Sequence, residues 1–171
     1  MTHARGALRP VIATRSAGLL MLALLRAAAA QAGDAPAAAY PQGAASFQSN
    51  CSVCHGAAGA GLPGLAPPLL SYPAHYAASA EGRRQLAMTV LYGLFGAISV
   101  EDKRYDFRMP EFSALDDTTL AATLNFVVFD LGHAGAGVRP LGAQEIAAER
   151  ARPVDGSAVR EHRKGVVPAS P

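Results

Sequence analysis

Two cysteines and a histidine stand close together in the run Cys51-Ser52-Val53-Cys54-His55. Residues three and four apart share one face of a helical turn, so both thiols can reach one edge of a flat ligand. The imidazole that follows then points beneath the same ligand. This C-x-x-C-H spacing is the signature of covalent attachment of a c-type haem. It predicts thioether bonds from Cys51 and Cys54 and an iron–nitrogen bond from His55.

Two other chemistries use similar residues. A thioredoxin-like redox pair needs its C-x-x-C at a strand-to-helix turn, whereas here a predicted helix precedes the motif and a Gly-rich loop follows it. A zinc site usually takes four ligands, commonly from two such pairs, and the chain contains only these two cysteines. Both alternatives are weaker than haem attachment.

An iron held by one histidine in an electron carrier needs a second axial ligand, and methionine is the usual partner in haem carriers of high potential. Beyond the N-terminal leader described below, the methionines are Met88 and Met109. Met88 lies inside a predicted helix and is expected to pack in the core. Met109 ends a charged loop and precedes Pro110, which restricts it to an extended backbone, so Met109 is the predicted ligand. His75 and His133 remain the alternatives.

The elements that must hold these residues are predicted to be helical, because apolar residues recur at helical spacing and no strand alternation or internal repeat is visible. The recurring apolar positions are Leu86, Val90, Leu91 and Leu94, then Leu120, Leu124, Val127, Val128 and Leu131. The predicted helices cover 41–51, 81–95, 116 or 117 to 132, and 142–151, with long loops at 56–70 and 96–109. The predicted fold class is all-α, with three to four helices and long loops around one covalent haem.

The N-terminus has the layout of a secretory signal peptide: three arginines, an apolar run over 17–25, and Ala30-Gln31-Ala32 as a cleavage site. The apolar run is too short for a stable membrane span. Without residues 1–32, eleven basic residues face thirteen acidic ones, which argues against nucleic-acid binding. The sequence therefore predicts export to the periplasm, with cleavage near Ala32.

Over about residues 42–132 the chain resembles class I cytochromes c. The matching pieces are Phe47, the motif at 51–56, Pro67-Pro68-Leu69, Met109-Pro110 and the last helix with Leu120, Leu124 and Phe126. The resemblance implies a contact between Phe47 and Phe126 or its neighbour. It also implies that the Pro67 carbonyl accepts a hydrogen bond from His55 and that Met109 is the sixth iron ligand. Residues 90–151 are similar to cytochromes c that serve periplasmic or membrane-bound dehydrogenases.

The resulting division of the chain is a signal peptide (1–32), a spacer (33–40), a cytochrome c domain (41–135), a helical C-terminal extension (136–152) and a mobile tail (153–171). The expected haem surroundings are Leu62, Leu65, Leu69, Leu70, Leu91, Leu94 and Phe112. An exposed thioether edge near Val53 and Ala57 is the expected docking patch.

The predicted function is single-electron transfer by a mono-haem protein that is not an enzyme. The expected partners are a dehydrogenase donor and an oxidase or another cytochrome as acceptor, within a respiratory chain. The alternatives are a sensor or minor enzyme with an open iron position, and an interaction module without haem.

Overall fold

The structure, a computed structural model, describes residues 1–2 and 37–166. The predicted signal peptide, apart from its first two residues, and the last five residues of the predicted tail lie outside the described residues. The elements are α1 (Pro41–Asn50), α2 (Ser52–His55), α3 (Tyr72–Ala77), α4 (Ala80–Tyr92), β1 (Ile98–Val100), β2 (Lys103–Tyr105), α5 (Asp117–Asn125), a π-helical segment (Phe126–Leu131), α6 (Ala143–Arg150) and α7 (Gly156–Val166). The fold is mostly α, as the sequence predicts.

The starts of the main helices follow from local chemistry. Pro41 occupies the first turn of α1, where its fixed φ suits a helix and its missing N–H costs nothing. The Ser79 hydroxyl accepts a hydrogen bond of 3.0 Å from the Gly82 amide at the start of α4. The Asp116 carboxylate accepts one of 2.8 Å from the Thr119 amide at the start of α5. Each cap satisfies an amide that the helix itself cannot pair.

Helices α1 and α5 cross at very close range. A Cβ atom on Gly43 would lie 2.0 Å from the Ala122 carbonyl oxygen, so only glycine permits this approach. Beside the crossing, the rings of Phe47 and Phe126 pack with their centroids 5.4 Å apart. The predicted contact between these two rings is confirmed.

Two short regions of regular secondary structure were not predicted from the sequence: a hairpin within the loop 96–109, and helix α3. Strands β1 and β2 form an antiparallel hairpin that pairs Ile98 with Tyr105. Its two turn residues, Glu101 and Asp102, both have positive φ, which matches the twist of a two-residue hairpin turn. Strands of three residues are too short to show an alternation in the sequence. His75 lies on the short helix α3, which is not among the helices predicted from the sequence.

The predicted mobile tail is wrong for residues 156–166, which form helix α7 packed against α4. Val159 on its inner face is fully buried, and the Gly156 carbonyl accepts a hydrogen bond of 3.0 Å from the Phe95 amide. The helix is amphipathic, with Val159 and Val166 on the side that packs against the core, a pattern that the sequence analysis missed. Packing rather than local propensity therefore stabilises this helix.

Polar side chains fix the C-terminal extension to the core. The Asn125 side chain donates to the Leu141 carbonyl (3.0 Å) and accepts from the Leu141 amide (2.7 Å). The Tyr92 hydroxyl donates to the Glu149 carbonyl at 2.8 Å. Buried Arg83 forms an ion pair of 2.7 Å with Glu145. Within residues 1–2 and 37–166, no helix combines the length and apolar character needed to cross a bilayer.

Candidate haem-binding site

One cavity is lined by all the residues that the sequence predicts to bind the cofactor. Cys51, Cys54, His55, Pro67 and Met109 all line it, although 58 positions separate the first from the last. Most of the other lining side chains are apolar. These include Leu65, Leu69, Leu94 and Phe112. The arrangement joins two sulfur nucleophiles, an imidazole and a thioether in an apolar setting.

His55 is held in one tautomer. It is buried, and its Nδ1 lies 2.9 Å from the Pro67 carbonyl oxygen. A carbonyl can only accept, so a neutral ring must carry its proton on Nδ1 and keep a lone pair on Nε2. Burial lowers the pKa of His55, while the Pro67 carbonyl opposes that shift. The ring is therefore neutral near pH 7, which is the form that binds a metal.

The loop after the motif folds back so that Pro67 reaches His55. The Gly61 amide donates to the His55 carbonyl at 2.8 Å, and the Leu69 amide donates to the Gly59 carbonyl at 2.8 Å. A Cβ atom on Gly61 would lie 2.7 Å from the carbonyl carbon of Pro67. Backbone pairing therefore sets the contact between Pro67 and His55.

Met109 is positioned by backbone pairing with the residue after α4. The Met109 amide donates to the Leu94 carbonyl at 3.0 Å, and the Leu94 amide donates to the Met109 carbonyl at 3.2 Å. Gly93 precedes this pair with φ 71° and ψ −168°, a conformation available almost only to glycine. The two-way pairing fixes the segment that carries the thioether.

The other candidate ligands lie elsewhere. Met88 is buried in the main hydrophobic core and does not line the cavity. His75 and His133 both line a separate depression, together with Leu70 and Gly132. Of the side chains considered as the second ligand, Met109 is the one placed in the cavity.

The structure corrects part of the expected surroundings. Leu62 and Leu70 are exposed and Leu91 packs in the core, so none of them lines the cavity. Polar side chains that sequence reasoning missed also line it, among them Tyr76, Gln85, Thr89 and Arg163. No local motif marks these residues, because they come from three separate helices.

Neither the Cys51 thiol nor the place of the motif in the fold matches a thioredoxin-like redox pair. Burial, assisted by the neighbouring Cys54, raises the pKa of Cys51 to about 11, whereas reactive dithiols have a lowered pKa. The motif follows helix α1 rather than a strand. The donor set and the apolar lining instead fit a c-type haem, to which His55 would offer a nitrogen ligand and Met109 a sulfur ligand.

Comparison with known proteins gives an independent result. A family model described as Cytochrome c matches residues 40–128. The chain is 35% identical over 122 residues to cytochrome c-552 of Thermus thermophilus, an alignment that covers 70% of this chain and 93% of the relative. A second cytochrome c-552, from a named strain of the same species, has the same identity, with 82% of the relative covered.

Proposed function

The chain belongs to the cytochrome c family, and we propose that it is an exported electron carrier whose iron is bound by His55 and Met109. Covalently attached haem c, the cofactor of that family, supplies a one-electron ferric–ferrous couple when bound. We assign the two attachment points to Cys51 and Cys54. The observation that carries the proposal is the meeting of these four side chains in one cavity.

In this proposal the protein sets the potential and makes no bonds during turnover. The Pro67 carbonyl holds the His55 ring with Nε2 free, as the partner of a metal-bound histidine usually does. A thioether ligand and an apolar lining both favour the ferrous state, because each disfavours the extra positive charge of ferric iron. The expected result is a carrier of comparatively high potential.

The surface beside the motif supports docking without charge steering. Val53 lies between the two cysteines and is 76% exposed. Residues 35–80 contain no Asp, Glu, Lys or Arg, so the chain on either side of the motif brings no charge to this face. Electron exchange through this face should depend only weakly on ionic strength, since salt screens interactions between charges.

The partners in this proposal are redox proteins of the respiratory chain. A periplasmic or membrane-bound dehydrogenase would supply electrons, and an oxidase or another cytochrome would accept them. The support is the resemblance over residues 90–151 and the leader pattern at residues 1–32. N-terminal sequencing of the mature protein should begin after Ala32 if this leader is cleaved in the periplasm.

The test compares Met109→Leu with Met88→Leu in haem-loaded protein matured through export. Both changes keep the apolar volume and remove a sulfur. Met109→Leu should abolish the weak long-wavelength band of thioether-ligated ferric haem, lower the potential and open the iron to carbon monoxide. Met88→Leu should change none of the three.

Two results would contradict the proposal. One is a Met109→Leu protein that keeps the band and still excludes carbon monoxide. The other is a wild-type protein that binds carbon monoxide readily, which would favour a sensor or minor enzyme with an open iron position.

A further inference from the structure

Helix α3 lies between two concave surfaces. Tyr72 and Tyr76 line the cavity that contains the C-x-x-C-H motif, whereas Ala74 and His75 line a second depression. His133, from the loop after the π-helical segment, lines the same depression. No aspartate, glutamate, lysine or arginine of the described residues lines it. The two imidazoles are therefore the chemically distinctive groups of this surface.

The two segments that carry these histidines are in direct contact. A Cβ atom on Gly132 would lie 3.3 Å from the Cβ atom of Ala74. Gly132 directly precedes His133, and Ala74 directly precedes His75. The fold thus brings together two histidines that are far apart in the chain.

The backbone at His133 is held in one conformation. Its φ is 49°, in the left-handed region, and hydrogen bonds join both neighbouring residues to the π-helical segment. The Gly132 amide donates to the Val127 carbonyl at 2.9 Å, and the Ala134 amide donates to the Val128 carbonyl at 3.1 Å. A side chain on a fixed backbone loses less freedom when it binds a ligand, which favours binding.

The ring nitrogens of His75 and His133 are available to a ligand. Both side chains are exposed, and neither ring hydrogen-bonds to a residue in the described part of the chain. The ring of His162, by contrast, lies 2.7 Å from a Gln85 oxygen and 3.2 Å from a Glu81 oxygen. A neutral imidazole with a free nitrogen is the commonest metal ligand in proteins.

We propose that His75 and His133 together bind one divalent transition-metal ion, whose coordination is completed by water. Imidazole suits Zn²⁺, Ni²⁺ and Cu²⁺, whereas Ca²⁺ and Mg²⁺ take oxygen ligands such as the carboxylates that this depression lacks. Among residues 1–2 and 37–166, no group of three or more His, Cys, Asp or Glu could hold a metal. The protein therefore supplies two ligands here. The inference goes beyond the proposed function and does not require a haem.

Equilibrium dialysis of Cu²⁺ and Zn²⁺ against untagged, haem-loaded ferric protein matured through export tests the site. Every preparation also carries His3→Gln, so that this histidine cannot contribute if the leader is retained. The parent chain should bind one ion, with Cu²⁺ held more tightly than Zn²⁺. His75→Gln and His133→Gln should each weaken binding about tenfold or more, since losing even a group that only orients a ligand costs about 10–100-fold. The control His162→Gln should bind like the parent.

A second pair of variants tests the geometry without removing a ligand. A Cβ atom on Gly132 would lie 2.9 Å from the Val128 carbonyl oxygen, as well as 3.3 Å from the Ala74 Cβ atom. Gly132→Ala should therefore move the two segments apart and weaken metal binding. Gly135 also lines the depression, but a Cβ atom there would have nothing within 4 Å, so Gly135→Ala should bind like the parent. Equal affinities of the two alanine variants would overturn the geometry on which the shared site rests.

Three dialysis results would overturn the proposal itself. The first is a parent chain that binds neither ion more tightly than about 1 mM. The second is two ions per chain, of which each variant of His75 or His133 removes one, because the two imidazoles would then act separately. The third is a loss on His162→Gln as large as that on His75→Gln. A colourless parent that binds one ion through both histidines would refute the proposed function and leave this inference standing.

Discussion

Replacing Gly93 by alanine should disturb Met109 without touching the methionine itself. Gly93 has φ 71° and ψ −168°, and a Cβ atom there would lie 2.4 Å from the Met109 carbonyl oxygen. Contacts of a Cβ atom below 3.0 Å essentially do not occur, so the backbone at Met109 must move away. That movement pulls on the two hydrogen bonds between Leu94 and Met109.

The expected cost combines strain and lost pairing. A non-glycine residue in this backbone conformation costs about 1–3 kcal/mol. The two Leu94–Met109 hydrogen bonds, at 3.0 and 3.2 Å, contribute about 0.5–1.5 kcal/mol each. Together with the strain, losing one or both lowers the free energy of unfolding by about 1.5–6 kcal/mol.

Guanidinium unfolding of the ferric haem-loaded protein measures this loss, and the long-wavelength band reports the iron–sulfur bond. The matched control is Gly64→Ala, because Gly64 has φ 77° but no atom within 4 Å of the added Cβ. The control should show strain alone and a normal band. The reasoning is refuted if Gly93→Ala is as stable as Gly64→Ala and keeps its band.

Three further predictions concern the cofactor, acid stability and α7. Changing Cys51 and Cys54 together to alanine should leave little folded mature protein, because the haem fills the cavity, and a cooperative unfolding curve for the colourless double variant would contradict this. Hydrogen bonds from a buried arginine lower the pKa of Glu145 to about 2, so its stabilisation is full above about pH 4.5 and is lost as the pH falls toward 2. Glu145→Gln should cost about 1–3 kcal/mol at pH 7 and almost nothing near pH 2, and an equal cost at both pH values in urea unfolding would count against the ion pair. Val159→Ala should cost about 2 kcal/mol and the exposed Val154→Ala about 0.5 kcal/mol or less, whereas equal midpoints would mean that α7 does not pack as described.

The sequence by itself determined the chemistry of the haem site, because the residues that define it lie in short contiguous motifs. Cys51, Cys54 and His55 share one helical turn, so their relation needs no tertiary information. The position of Met109 directly before Pro110 likewise identified the segment that carries the thioether. Helix starts such as that at Asp116 were also predictable, since a cap acts on residues two or three positions away.

Tertiary structure decided what depends on residues far apart in the chain. Helix α7 is amphipathic, but only the packed structure shows that its Val159 is fully buried against the rest of the chain. The Leu94–Met109 pairing and the hydrogen bond from Arg163 to the Ser99 carbonyl join residues 15 and 64 positions apart. Whether a polar side chain ends in solvent or in the cavity depends on how the helices pack. Only the folded chain therefore shows that Arg163 is buried and lines the cavity.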